Sequence, residues 1–181
     1  GIRPDVIVGT SMGAVVGALL ASGRLDDAMG EIARADLIRV LGYIDPSFPR
    51  SSLMDGLRIH RLLKAWFGLA DIEDLPARFA AVAADLENVD EVVMTRGGLA
   101  SAVRASISIP LVFPPVSRDG RWLVDGGLVD PVPCSPARAL GAEVLSAVDL
   151  NRHLPSLPPV ERIRKPGRGR LAGVPSTAST G

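Results

Sequence analysis

The sequence predicts an α/β domain built on a mainly parallel central sheet. Short apolar runs rich in β-branched residues alternate with segments of helical periodicity as far as residue 151, the order expected of βαβ units. With 181 residues, 47% of them hydrophobic, the chain is long enough to bury a core. Its 20 basic and 20 acidic residues cancel, so no nucleic-acid partner is expected from net charge.

The N-terminal part alternates in this way from its first residues. Its predicted elements are a strand at Asp5–Val8, helices at Met12–Ser22 and Leu25–Leu41, a loop at Gly42–Gly56 and an amphipathic helix at Leu57–Phe67. Gly23 is expected to end the first helix, because glycine readily adopts the left-handed conformation found after helix C-termini.

The second half continues the alternation and ends in a segment of different composition. Its predicted elements are a hairpin of strands Phe79–Leu86 and Glu91–Thr95, a helix at Ala100–Ser108, a strand at Trp122–Val124, a short helix at Pro136–Leu140 and a strand at Glu143–Leu150. Nine of the 27 residues from Pro155 to Gly181 are Pro or Gly, among several arginines. We therefore expect a domain at 1–151 and a disordered tail at 152–181.

The most informative motif is Gly-Thr-Ser-Met-Gly at 9–13, between the first strand and the first helix. A strand, a sharp turn bearing serine and a helix form a nucleophile elbow, with Ser11 as the nucleophile. Gly9 and Gly13 are expected because a Cβ would collide where strand and helix approach. The helix N-terminus at Met12 would direct free N–H groups towards a developing oxyanion.

Two other interpretations of this region compete with the elbow. A Gly-x-Ser-x-Gly motif also occurs by chance. In addition, Val6–Gly23 has no charged residue over eighteen positions, which is the lower limit for a membrane-spanning helix. Its high content of glycine, serine and threonine, and the charges of Asp5 and Arg24 at its ends, favour the elbow.

Asp125 is the candidate base for this serine. It follows the strand Trp122–Val124, and the next residues, Gly126 and Gly127, allow a tight turn that leaves its carboxylate uncrowded. We expect Asp125 and Ser11 to lie together at the carboxyl ends of sheet strands. The only histidines are His60 and His153, and a Ser–Asp–His triad using His153 is the alternative that the chain order permits.

Three blocks together resemble the patatin-like phospholipases, in particular the bacterial branch related to neuropathy target esterase. They are GTSMGA at 9–14, RASISIPLVFPPV at 104–116 and LVDGGLVDPVP at 123–133. The resemblance implies a three-layer patatin-like fold and a Ser–Asp dyad of Ser11 and Asp125, without histidine, metal or cofactor. It also implies hydrolysis of carboxylic esters in lipids. The single cysteine, Cys134, fits a reducing compartment, so a bacterial cytoplasmic location is expected.

The resemblance also leaves alternatives open. Family members carry a Gly-rich loop of the type GGGxRG after a first strand, and its N–H groups form the oxyanion hole. This sequence shows no such loop before Ser11, so we expect residues 1–151 to lack the first strand and that loop. The rival class is a lipid-binding or regulatory module that keeps the fold without the chemistry.

The substrate side of the site is less well defined by the sequence. The helix Leu57–Phe67 has an apolar face that either contacts a phospholipid surface transiently or packs on the domain's own core. Ser101, Ser106 and Ser108 are either pocket-lining residues or plain helix and turn positions.

Overall fold

A computed structural model describes residues 3–28 and 52–149, apart from the side chains at 52–55 and 58. The strands are β1 (Val6–Thr10), β2 (Arg78–Asp85), β3 (Glu91–Met94), β4 (Val116–Arg118) and β5 (Arg121–Asp125). The helices are α1 (Met12–Ala21), α2 (Ser52–Phe67), α3 (Leu99–Ser106) and α4 (Cys134–Ala139), with 3-10 turns at Ile72–Asp74 and Gly126–Leu128.

Strand β2 organises the described sheet, because three other strands pair with it. Strand β1 is parallel to β2, whereas β3 and β5 are antiparallel to it, and β4 is antiparallel to β5. The short connections at 86–90 and 119–120 can join only antiparallel neighbours. The predicted α/β class is thus confirmed, with a mixed sheet in the part of the chain that is described.

Strands β1 and β5 lie end to end along one edge of β2. Residues 81 and 82 of β2 pair with both β1 and β3, so these two strands lie on opposite edges. Residues 83 and 84 pair with both β3 and β5, which places β5 on the edge that β1 occupies. Since β1 and β5 run in opposite directions, their carboxyl ends face each other.

Helix α1 packs on the sheet through small residues, which brings the beginning of the helix close to the end of β1. Ala14, Ala18 and Leu19 are fully buried. A Cβ at Gly17 would lie 3.0 Å from Ile7 Cγ2 and 3.2 Å from Phe79 Cε2, so the helix approaches both strands closely.

The membrane-span interpretation of 6–23 is wrong. Residues Val6–Thr10 of this run form a strand hydrogen-bonded to β2, and Gly23 follows α1 with a φ of 70°. Among the described residues, no helix combines the length and apolar character needed to cross a membrane.

The apolar face of α2 belongs to the core. Ile59, Leu63, Trp66 and Phe67 are at most 7% exposed and lie in one cluster with residues of α1, α3 and the sheet. Of the two roles expected for this face, packing on the domain is the observed one. A lipid surface therefore cannot be contacted through these side chains while the core is intact.

Two predicted elements differ from the structure. The predicted loop Gly42–Gly56 is helical from Ser52 onwards, so α2 begins five residues before the predicted start at Leu57. The predicted strand Glu143–Leu150 is irregular through residue 149, and Val144 and Val148 are 91% and 76% exposed. Within the part of the chain that the structure describes, no strand pairs with this run, so its backbone groups lack the ladder partners that a strand requires. Most of the Leu25–Leu41 helix, the rest of the Gly42–Gly56 loop and the predicted tail at 152–181 lie outside the described residues.

Candidate active site

Ser11 occupies the sharp turn between β1 and α1. Its backbone has φ 54° and ψ −123°, a region that non-glycine residues seldom adopt. Such a conformation costs on the order of 1–3 kcal/mol and persists only where the surrounding structure enforces it. The strain lies at the residue whose hydroxyl the turn presents, which is the geometry expected of a nucleophile elbow.

The two glycines of the motif have different roles. A Cβ at Gly9 would overlap the carbonyl of Gly13 and the nitrogen of Ala14, because the end of β1 contacts the first turn of α1. A Cβ at Gly13 would meet nothing within 4 Å. The expected collision is therefore confirmed for Gly9 and is wrong for Gly13, whose Cβ direction is open.

This difference gives a testable prediction for stability. Gly9→Ala should lower the free energy of unfolding by about 2 kcal/mol or more, because backbone atoms must separate to admit the methyl group. Gly13→Ala, the matched control, should leave stability unchanged or raise it by up to about 1 kcal/mol through helix propensity. Urea denaturation of both variants measures the difference, and equal destabilisation would contradict the asymmetry.

Asp125 is hydrogen-bonded directly to Ser11. The Ser11 hydroxyl donates to Asp125 Oδ2 at 2.6 Å, and the Gly127 N–H donates to Asp125 Oδ1 at 2.7 Å. The second bond orients the carboxylate, so that one oxygen faces the serine. Asp125 is only 6% exposed, which excludes most competing water from the carboxylate.

The end-to-end strands explain why these residues meet. Thr10, the last residue of β1, lies opposite Val82, whereas Asp125, the last residue of β5, lies opposite Ala83. The expectation that both residues lie at the carboxyl ends of sheet strands is confirmed. In the structure the two strands approach each other from opposite directions, and their ends meet part-way along β2.

Gly126 permits this meeting sterically. A Cβ at this position would overlap the carbonyl of Val82 and lie 3.0 Å from Thr10 Cγ2. The turn after β5 therefore passes directly over β2 and the end of β1. The Thr10 hydroxyl also donates to the Asp130 carbonyl at 2.7 Å, which ties the chain after the turn to β1.

Burial raises the pKa of the Asp125 carboxyl above its ordinary value. The hydrogen bonds from Ser11 and Gly127 favour the ionised form and offset part of this effect. A carboxylate with a raised pKa is a stronger base than the carboxylate of an exposed aspartate. Its pKa also lies closer to neutral pH, where a general base accepts a proton most effectively.

The first turn of α1 supplies N–H donors beside Ser11. Met12 and Gly13 are the first two residues of α1, and N–H groups at these positions have no acceptor within a helix. The Ser11 N–H itself is bonded to the Ser106 hydroxyl at 2.9 Å. Met12 and Gly13 are therefore the donors of this turn that can face an oxyanion.

The segment 104–108 supports the pair in a way that sequence reasoning missed. Ser106 and Ser108 are fully buried, and the Ser108 carbonyl accepts the N–H of Asp125 at 2.9 Å. Ser106 is the last residue of α3 and Ser108 lies in the turn that follows, so the expected helix and turn positions are confirmed for these two, whereas Ser101 lines a cavity beside α2. The available signal was their position in the RASIS block, but nothing local indicates contacts with residues 11 and 125.

Histidine does not take part in the pair within the described residues. His60 lies on α2 and lines a cavity of about 200 Å³ with Leu57, Arg104 and Pro114, and no hydrogen bond joins it to Ser11 or Asp125. Burial, followed by the positive charges of Lys64 and Arg104, lowers its pKa. His153 is outside the described residues. In residues 3–28 and 52–149, no group of three or more His, Cys, Asp or Glu could hold a metal ion.

Ser11, at a strand-to-helix turn, and the buried Asp125 thus lie in hydrogen-bond contact on a mixed α/β sheet. A sequence model described as patatin-like phospholipase matches residues 1–138. The chain therefore belongs to the patatin-like phospholipase family, which confirms the fold and the resemblance expected from the three sequence blocks.

Individual relatives agree with this assignment. An uncharacterized NTE family protein of Mycobacterium tuberculosis is 40% identical over 145 residues, which cover 80% of this chain and 40% of that protein. A second from the same organism is 39% identical over 170 residues, covering 88% and 28%. Patatin-like phospholipase domain-containing protein 7 of Rattus norvegicus is 34% identical over 156 residues, covering 83% and 12%. The chain thus spans less than half the length of each relative.

Proposed function

We propose that this chain forms the catalytic core of a serine hydrolase that cleaves carboxylic esters in lipids, with Ser11 as nucleophile and Asp125 as base. The observation that carries the proposal is the 2.6 Å hydrogen bond from the Ser11 hydroxyl to Asp125 Oδ2. Family membership is consistent with lipid hydrolase activity. Lipid esters are accordingly the proposed substrate class.

The first half-reaction forms an acyl-enzyme. Ser11 Oγ attacks the ester carbonyl carbon while its proton passes to Asp125 Oδ2 along the existing hydrogen bond. The carbonyl oxygen becomes an oxyanion, which the N–H groups of Met12 and Gly13 stabilise together with the partial positive charge of the α1 N-terminus. Collapse of this intermediate breaks the bond to the alcohol, which leaves with the proton from Asp125.

The second half-reaction releases the acid. Asp125, ionised again, takes a proton from a water molecule as its oxygen attacks the acyl carbon. The second tetrahedral intermediate collapses, the proton returns to Ser11 Oγ, and the carboxylic acid departs. The bond from Gly127 keeps the carboxylate in one orientation throughout, so the same oxygen serves both steps.

The direct test is to detect the acyl-enzyme. The full chain is mixed with a short-chain nitrophenyl ester and, separately, with phosphatidylcholine vesicles, and the reaction is quenched with acid. The expected result is an acyl adduct on the peptide containing Ser11, observed by mass spectrometry, with release of nitrophenol or fatty acid.

Other results would favour the alternatives. Vesicle binding without adduct or product would identify a lipid-binding module that retains the fold. An adduct at Ser11 whose formation depends on His153 would identify a triad enzyme. An adduct on another residue would overturn the assignment of the nucleophile.

A further inference from the structure

A single buried segment supplies hydrogen-bond acceptors to the backbone of both Ser11 and Asp125. The Ser106 hydroxyl accepts the Ser11 N–H at 2.9 Å, and the Ser108 carbonyl accepts the Asp125 N–H at 2.9 Å. The two acceptors are two residues apart, one at the last residue of α3 and the other two positions beyond it. The segment Ser106–Ser108 therefore fixes the backbones of Ser11 and Asp125 relative to each other.

The direction of the Ser106 hydroxyl is fixed by β2. A serine hydroxyl has one proton, and Ser106 donates it to the Val82 carbonyl at 2.6 Å. The oxygen consequently presents a lone pair to the Ser11 N–H. Since Ser106 is fully buried, water cannot replace either bond without a change in packing.

The segment Ser106–Ser108 is itself held in place by hydrogen bonds between Arg104 and Ser108. Arg104 Nη1 donates to the Ser108 hydroxyl at 2.6 Å, and this hydroxyl donates to the Arg104 carbonyl at 2.8 Å. Arg104 is 5% exposed, and its guanidinium carbon lies 5.3 Å from the centre of the Phe113 ring. A buried polar network with satisfied partners favours one conformation, so the acceptors facing Ser11 and Asp125 are held in place before any ligand binds.

We propose that Ser106 is a positioning residue for the nucleophile. Its hydroxyl holds the Ser11 backbone in the strained conformation that directs Oγ at Asp125. Among the described residues, the Ser106 hydroxyl bonds only to the Ser11 N–H and the Val82 carbonyl, so it acts through Ser11 and not on the substrate. The expected effect on rate rests on the proposed function, whereas the effect on the Ser11 backbone does not.

The test compares the full chain with Ser106→Ala and Ser106→Cys. Cysteine nearly keeps the volume of serine, but its sulfur is a weak acceptor. Labelling of Ser11 by a fluorophosphonate should slow by about tenfold to a hundredfold in both variants, as expected when a reacting group is displaced by up to about 1 Å. In ester hydrolysis kcat should fall while KM stays unchanged. Val103→Ala, a core truncation in the same helix, and Ser117→Ala, at an exposed site on β4, are the controls and should label at the wild-type rate.

A second readout separates this proposal from the proposed function. Hydrogen exchange at the Ser11 amide, followed by NMR, should accelerate in both Ser106 variants and not in Val103→Ala. If wild-type protein is not labelled at Ser11, the proposed function fails, and exchange still decides the role of Ser106. Wild-type labelling and exchange in a folded Ser106 variant would overturn the positioning role, as would equal slowing by Val103→Ala. If Ser106→Ala does not fold, Ser106→Cys carries the comparison.

Discussion

Replacing Ser11 with alanine is expected to abolish fluorophosphonate labelling and to lower ester hydrolysis by at least about four orders of magnitude. No other described serine combines an elbow conformation with a hydrogen bond to a buried carboxylate. Labelling is read by gel and mass spectrometry, and hydrolysis by release of nitrophenol from a short-chain ester.

The control for this variant is Ser117→Ala, because Ser117 is exposed on β4 and distant in sequence from the motif. It should retain wild-type labelling and turnover. Persistent labelling of the Ser11→Ala protein would show that the reactive serine lies elsewhere.

Asp125→Asn is expected to lower turnover by at least about a thousandfold while the protein stays folded. The amide is nearly the same size as the carboxyl group, and its oxygen can still accept the Gly127 N–H. What it lacks is the capacity to accept the Ser11 proton. Steady-state hydrolysis at neutral pH measures the loss.

Two controls accompany this variant. Asp85→Asn removes another buried carboxylate, which is ion-paired with Arg121, and should keep its activity. His153→Ala should be nearly silent. Loss of activity in the histidine variant, together with an active Asp125→Asn protein, would instead identify a triad enzyme.

The Asp125→Asn variant should also reveal how burial of the Asp125 carboxyl affects the stability of the protein. Since burial raises the pKa of this carboxyl, the folded protein retains a proton that the unfolded chain has already released between the ordinary and the raised pKa. The free energy of unfolding therefore falls as pH rises through that window. Asp125→Asn cannot titrate, so its stability relative to wild type should increase from acidic to neutral pH in urea denaturation. A change in the opposite direction would mean that hydrogen bonding to the carboxylate outweighs its desolvation.

Local sequence patterns were sufficient for the elements that form the site. The Gly-Thr-Ser-Met-Gly motif predicted a strand, a turn and a helix around Ser11, and the Asp-Gly-Gly motif predicted a turn after a strand at Asp125. In each case a few adjacent residues restrict the backbone, so the pattern carries the required information. The hairpin of β2 and β3 was predictable for the same reason.

Contacts between distant parts of the chain were not predictable in this way. The hydrogen bond between Ser11 and Ser106 joins residues 95 positions apart, and no periodicity or composition encodes it. The antiparallel pairing of β5 with β2 likewise depends on which strand edge is free after the others have formed. The apolar run Glu143–Leu150 looked like a strand because strand propensity is local, whereas strand formation requires a partner.

Because β1 and β5 lie end to end along β2, the register of β2 sets the separation between Ser11 and Asp125. Ser11 directly follows Thr10, which pairs with Val82, and Asp125 pairs with Ala83, the next residue of β2. The distance between Ser11 and Asp125 therefore does not depend on the length of the connection from α1 to β2. One residue inserted between Val82 and Ala83 would lengthen that interval by about 3.3 Å and reverse the face of every later side chain. The connections between these elements can therefore differ in length around an unchanged Ser11–Asp125 contact, whereas a single insertion in β2 would separate the two residues.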